Sequence, residues 1–242
     1  MDEMSRKGKL VVIDGTDGSG KKTQTKLLLS RLRERGYDTF ALSFPQYGEK
    51  SAGLVEDYLN GKYGQPGEVN PYAASLFYAL DRFDLSAKIR AALDEGKIIV
   101  TDRYVTANAG HQGGKIKDLE ERKKFISWMY NVEYEILRIP RPDLVVILHV
   151  PAEVGQKLVL KKQQRLYLEG NKTQDLHEAD LAHLKAAEES YLWLAEQFPK
   201  EHKVVECVQG GRLFSREAIQ EKLWQAIFPT LQDFAAVKSD KP

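Results

Sequence analysis

The sequence predicts an α/β fold, a doubly wound parallel five-stranded sheet flanked by helices. Two observations carry this. Short apolar runs alternate with longer amphipathic segments, and the runs are so dense in Val, Ile and Leu that both their faces must be covered, as in a parallel sheet. A glycine-rich turn, Gly15 to Lys21, joins the first apolar run to the first helix pattern.

Strands are expected at Leu10–Ile13, Thr39–Phe44, Ile98–Thr101, Leu144–Val150 and Val204–Cys207. Between them the 3.6-residue period marks helices at Lys21–Arg35, Ser51–Asn60 and Pro71–Glu95, which run into Gly36, Gly61 and Gly96. Asn70-Pro71 is a good helix start: a capping side chain, then a residue whose missing N–H costs nothing there. Further helices are expected at Asp118–Arg138, Ala152–Gln164, Asp175–Phe198 and Ser215–Phe228. There is no internal repeat and no linker, so residues 1–242 read as one domain. A basic stretch at about 157–175 gathers Lys157, Lys161, Lys162, Arg165 and Lys172 around a Gly-Asn turn. It reads either as a solvated helix end or as a short basic lid over phosphates. A tail at about 229–242 ends in the polar sequence AAVKSDKP and is expected to fray.

The 242 residues are 42% hydrophobic and 29% charged, enough for a full core. A net charge of +1 gives no global field for nucleic acid or anionic membrane, so no nucleic-acid or membrane partner is expected. The lone Cys207 lies in an apolar strand pattern, fits a core role and implies a reducing compartment. No apolar run approaches the ~20 residues of a membrane helix, and the first residues lack a signal core. A cytoplasmic protein is expected.

Gly15-Thr16-Asp17-Gly18-Ser19-Gly20-Lys21 fits the phosphate-cradling pattern GxxxxGK in its required context, after a strand and opening a helix. The glycines let backbone N–H groups approach an anion, and the helix start contributes roughly half a positive charge. Lys21 reaches the outer phosphates. Lys22 occupies the slot where such loops carry a magnesium-binding hydroxyl. Two lysines here oppose the helix dipole by ~0.3–1 kcal/mol each, so Lys22 either supplements charge beside a polyphosphate or points into solvent. Thr23 is a 100° turn further on and does not replace the hydroxyl. Asp102-Arg103-Tyr104 ends a buried strand on the same sheet edge, where a carboxylate can hold Mg²⁺ and an arginine can grip phosphate. Tyr78 and Arg82, four apart on one helix, project a ring and a guanidinium from one face. Asn108, His111 and Gln112 form a polar row if their segment is helical.

Together IDGTDGSGKKTQ, FPQYG, LFYALDR, DRYVTANAGHQGG and HEADLAHLKAAEESYLWLA resemble the thymidylate kinase family, in its order and spacing over roughly residues 8–228. The resemblance implies a P-loop NTPase-type fold and a P-loop nucleoside monophosphate kinase. Such an enzyme moves the γ-phosphoryl of ATP to dTMP, with Mg²⁺ as cofactor and a homodimeric assembly. Carried over residue by residue, ATP would meet Gly15, Thr16, Asp17, Gly18, Ser19, Gly20, Lys21, Lys22 and Thr23. The acceptor dTMP would meet Asp17, Phe44, Pro45, Tyr47, Tyr78, Arg82, Arg103, Asn108, His111 and Gln112. Tyr78 would stack on thymine, Arg82 would bind the acceptor's base or phosphate, and His111 would line base and sugar. The catalytic set would be Lys21, Asp17, Arg103 and the lid's Arg165, with Asp102 and Asp17 holding metal. Gly210–Arg212 would either approach adenine or form a plain turn. The chain departs from the family at Lys22, at Tyr47 where an arginine is frequent and at Ala107 where serine is. It also has Asp14 for Glu and His149 for Asp. Two alternatives stand beside this reading: a kinase for another nucleotide or deoxynucleoside, and a nucleotide-binding module without catalysis.

Overall fold

In the computed structural model, which describes residues 8–64, 67–160, 180–232 and 234, the apolar runs form one parallel sheet. Its strands are β1 (Lys9–Asp14), β2 (Thr39–Ser43), β3 (Ile98–Asp102), β4 (Leu144–His149) and β5 (His202–Glu206), in the order β2-β3-β1-β4-β5. The helices, in chain order, are α1 (Lys21–Glu34), α2 (Gly53–Leu59), α3 (Pro71–Asp94), α4 (Val105–His111), α5 (Leu119–Tyr130), α6 (Ala152–Leu160), α7 (Leu181–Gln197) and α8 (Arg216–Leu231). Successive residues of β1 point to opposite faces and bury both. Val11 and Ile13 meet Leu28, Leu32, Leu223 and Ile227 of α1 and α8. Leu10 and Val12 meet Ile89, Phe125 and Leu194 of α3, α5 and α7. This two-sided burial explains why the strands read as continuous apolar runs rather than as alternation.

The strand order places β1 between β3 and β4, and Ile13 is in register with Asp102. The loops leaving β1 and β3 therefore emerge side by side at the carboxyl edge. Arg103 N donates to Ile13 O at 3.0 Å and Phe44 N to Asp102 O at 3.0 Å, so the ends of β1, β2 and β3 are laced together. Asn70 caps α3, its side chain accepting from Tyr72 N, with Pro71 in the first turn as the sequence predicts.

Four expectations shift. The expected α2 segment opens with a single 3₁₀ turn, Lys50–Ala52, before Gly53. β5 starts two residues earlier than expected, at His202, and ends before Cys207. Cys207 is buried, and burial pushes its thiol up to about 12, which suits a core role. Val208–Gln209 and Arg212–Leu213 pair as a hairpin across Gly210 and Gly211 (φ 56° and 75°), the left-handed pair that two-residue hairpin turns require. The largest change is in the helix expected over Asp118–Arg138. It is α-helical to Tyr130 and then widens to a π turn, Asn131–Ile136. The wider turn carries Glu133 inward until it is fully buried. The lid's Lys161, Lys162, Arg165 and Lys172, and the tail beyond residue 234, lie outside the described residues.

Glu133 meets Arg82, which is 1% exposed. Arg82 Nε donates to Glu133 Oε2 at 2.9 Å, Nη2 donates to Oε1, and Nη1 donates to the Tyr104 carbonyl at 3.3 Å. Burial works against the guanidinium's charge, but Glu133 outweighs it and raises its pKa. Removing one partner strands the other's charge in the core. Glu133→Ala is expected to lose about 3–5 kcal/mol in urea unfolding, and Arg82→Met added to it should recover part of that loss. Additive losses would show that the pair is not coupled.

Candidate active site

The phosphate loop leaves β1 at Asp14. Gly15 has φ 134°, and a Cβ there would stand 2.5 Å from the Leu148 carbonyl, so the loop crosses β4 as bare backbone. Gly18 (φ 84°) is similarly closed in by Gly155 at the start of α6. Gly20 caps α1 in the left-handed conformation, with no side-chain cap and no acid in the first helical turn. Lys21 folds back over the loop, its Nζ donating to Gly15 O at 3.0 Å and Thr16 O at 2.8 Å. Burial, then the nearby Arg103 charge, pulls its pKa down to about 8, against the pull of Asp17, Asp102 and Asp14. Thr16 and Ser19 are buried and Thr23 half-buried, whereas Lys22 is exposed to solvent.

Arg103 takes the left-handed conformation at φ 68°, a costly arrangement for a side-chain-bearing residue that clusters at functional sites. Its Nη2 donates to Asp17 Oδ1 at 2.6 Å and its Nη1 to His111 Nε2 at 2.9 Å. Burial opposes its charge, but Asp17, Tyr191, Asp14 and Asp102 hold the pKa well above the ordinary value. The structure thus joins the phosphate loop, the β3 end and α4 through one guanidinium. Asp102 is half-buried beside it and acts on the Lys21 charge.

The α4 row forms as the spacing predicts: Asn108, His111 and Gln112 are all buried. Asn108 Nδ2 donates to Ser75 O at 3.1 Å and lies 3.4 Å from Glu133 Oε1. The Gln112 amide has no hydrogen-bond partner among the described residues, an orphan that a bound polar ligand would satisfy. Phe44 is buried against Tyr104, ring centroids 5.8 Å apart, and Pro45 is buried beside it. Tyr47 is 38% exposed.

Three placements show which partners the expected site residues have. Tyr78 and Arg82 share a face of α3 but make separate contacts. Tyr78 lies edge-on to Tyr58 at 6.3 Å, while Arg82 is turned into the core by Glu133 and not presented to a phosphate. His111, expected to line base and sugar, has one ring nitrogen against Arg103 and the other 3.2 Å from His183 Nε2. Asp17, assigned to metal and acceptor, holds Arg103 in an ion pair.

Sequence reasoning missed Glu133, His183, Tyr191 and Glu188, because each reaches the site from a distant helix. Tyr191 donates to Asp14 Oδ1 at 2.7 Å, fills the space above Gly110 and sets its ring edge on His111. Burial raises the Asp14 pKa against the pull of Arg103, Tyr191 and Lys21. Asp81 had a local signal in LDR. Fully buried, it accepts from Gln46 N at 3.0 Å and Ser51 Oγ at 2.8 Å and so anchors the Phe44–Gly48 loop.

A phosphate-binding loop at the switch of a parallel sheet, faced by a half-buried arginine and an amide-lined wall, defines an ATP-handling transferase with a second, smaller anionic substrate. A family model described as thymidylate kinase matches residues 13–209, and the chain belongs to the thymidylate kinase family. It is 30% identical over 157 residues to the thymidylate kinase of Mycobacterium tuberculosis (strain CDC 1551 / Oshkosh), covering 64% of this chain and 72% of that one. It is 32% identical over 177 residues to that of Desulfotalea psychrophila (strain LSv54 / DSM 12343), covering 72% and 76%. The solved structure of thymidylate kinase from Candida albicans aligns with TM-score 0.68 and 22% identity over 92% of each chain, a likeness of fold.

His149 marks a further departure from the family. Its Nδ1 lies 2.7 Å from Glu206 Oε2 and its Nε2 2.8 Å from Glu188 Oε1. Burial disfavours the charged ring, yet the two carboxylates outweigh it and raise the pKa above 6.5. The pairing therefore stabilises the fold fully below the unfolded value near 6.5, and the contribution fades as pH rises through the higher folded value. His149→Gln is expected to cost roughly 1 kcal/mol at pH 6 and progressively less toward pH 9, measured by thermal unfolding. A pH-independent difference would mean the ring is held neutral.

Proposed function

We propose that this protein transfers the γ-phosphoryl group of ATP to dTMP, giving dTDP and ADP. The observation that carries the reading is the Arg103–Asp17 contact, which couples the ATP-side loop to the acceptor wall. An oxygen of the acceptor phosphate attacks the γ-phosphorus as the β–γ bond breaks, and ADP leaves. The acceptor is already ionised at neutral pH, so no general base is needed. What the chain must supply is alignment and positive charge.

Lys21, now bonded to loop carbonyls, is placed to exchange them for the β- and γ-phosphates, and a polyphosphate would restore its full charge. Arg103 would take the acceptor phosphate, loosening its hold on Asp17. The orphaned Gln112 amide and Asn108 would meet the base or sugar. Lid cations around Arg165 would close over ATP.

The donor set fits a hydrated Mg²⁺. No cluster of three or more His, Cys, Asp or Glu able to hold a metal occurs among the described residues, and Mg²⁺ is ordinarily held by one or two carboxylates plus waters and phosphates. Asp102 would be the first such carboxylate and Asp17 the second once Arg103 releases it. Lys22 offers no oxygen, so the usual hydroxyl ligand is absent. The ion would neutralise charge on the β- and γ-phosphates.

The test is coupled ADP release with dTMP, dUMP, dCMP, dGMP and thymidine as acceptors. A kcat/KM for dTMP at least about tenfold above every other acceptor is expected. Preference for another acceptor, or ATP and dTMP binding without dTDP formation, overturns the reading.

Two coarser properties complete it. A cytoplasmic location accords with the buried single cysteine and with the absence, among the described residues, of a helix long and apolar enough to cross a membrane. A homodimer accords with Leu76, Leu80 and Phe83, an apolar stripe on α3 that is 40%, 47% and 47% exposed. Sedimentation should find the parent dimeric and a Leu80→Arg, Phe83→Arg variant monomeric. A monomeric parent would rule out this assembly.

A further inference from the structure

His183 stands on the first turn of α7, held there by Asp180, whose Oδ1 accepts from Ala182 N at 2.9 Å and His183 N at 3.1 Å. Its ring stacks on that of His111 with centroids 5.4 Å apart and planes at 26°. His183 Nε2 is 3.2 Å from His111 Nδ1, and Arg103 Nη1 is 2.9 Å from His111 Nε2. These contacts fix where the protons sit. A guanidinium only donates, so His111 Nε2 must present a lone pair to Arg103. The single proton of neutral His111 is then on Nδ1, and it donates to His183 Nε2. His183 in turn carries its own proton on Nδ1. The chain runs one way, from Arg103 to His111 to His183, and each bond requires the next ring to be neutral.

We infer that His183 is a positioning residue of the acceptor site. By accepting the Nδ1 proton of His111 it fixes that ring's tautomer, and the ring in turn holds the Arg103 guanidinium in the orientation that serves the acceptor phosphate. The inference rests on the reading of Arg103 as the acceptor-phosphate ligand.

The surroundings keep the brace uncharged. His111 faces Arg103, Asp17, His183 and Lys21; His183 faces Lys115, Asp17, Asp180 and Arg103. Burial, followed by Arg103, drives the His111 pKa well below its ordinary value. Burial, followed by Lys115, pulls His183 to about 4. The Tyr191 ring closes the remaining side, edge-on to His111 at 5.8 Å. An uncharged imidazole can accept from Arg103 without adding positive charge beside it, which a protonated one cannot.

Two variants of similar size separate positioning from packing. His183→Leu removes the acceptor atom, while His183→Gln keeps an amide oxygen. His183→Leu is expected to raise the KM for dTMP about fivefold to tenfold, with kcat and the KM for ATP within about twofold. His183→Gln should return the acceptor KM to within about threefold of the parent. Long-range ¹H–¹⁵N spectra of the intact parent should find His111 protonated at Nδ1 and bare at Nε2, unchanged between pH 6 and pH 9. Equal changes in both KM values, no change with leucine, or failure of glutamine to rescue overturns the inference. So does a His111 proton on Nε2. The tautomer is read without substrate, so it decides the brace even if His183→Leu does not fold. It also separates this inference from the proposed function: a parent with the expected tautomer but no dTDP formation refutes the reaction and leaves the brace standing.

Discussion

The site depends on one guanidinium held between two loops that the sheet forces together. Because β1 and β3 are neighbours in register, their carboxyl ends open onto the same crevice, and Arg103 N is bonded to the last turn of β1. The left-handed backbone at Arg103 is strained, and the surroundings over-determine it: the Ile13 carbonyl holds its N–H, the Thr101 hydroxyl its carbonyl, and Asp17 and His111 its side chain. Removing any one of these leaves a half-buried arginine with fewer partners than its desolvation requires.

The same crowding sets the electrostatics of the crevice. Burial and the Arg103 charge together disfavour the Lys21 charge, and Asp17, Asp102 and Asp14 only partly offset them. Lys21 answers by turning to backbone carbonyls and by a pKa that falls to about 8. Burial that disfavours an unpaired cation strengthens its attraction to a polyphosphate. Pre-placed charge of this kind needs no reorganisation when charge builds on the transferring group.

What was legible in the sequence was local. The five strands are found within a few residues because two-sided burial writes itself as unbroken Val, Ile and Leu. The loop glycines, the Asn70 cap and the α4 polar row were readable because each is set by spacing within one element. The burial of Arg82 was not legible, because its i, i+4 relation to Tyr78 says which residues share a face, not which face is buried. Its fate is decided by Glu133, 51 residues away, through a π turn that no periodicity announces. His183 and Tyr191 lie in a quoted motif, but their polar partners, 72 and 177 residues away, were not legible for the same reason.

Three polar residues at the crevice draw their partners from one element, α7. Asp14 is one methylene shorter than the usual glutamate, and Tyr191 reaches its Oδ1 from α7 while Oδ2 has no partner among the described residues. At the end of β4, His149 meets Glu188 of α7, which binds the ring through Oε1 and accepts from the α6 amide Ala152 N through Oε2. His111, at the end of α4, meets His183 of the same helix, α7. In each case the residue lies on a strand or helix end at the crevice, and its partner comes from the same helix. A sheet edge fixed by backbone pairing cannot shift to accommodate a new side chain, whereas a helix packed across that edge can present a different one at the same height. Variation at the crevice is therefore expected to appear as paired changes between α7 and the strand ends, not as independent substitutions.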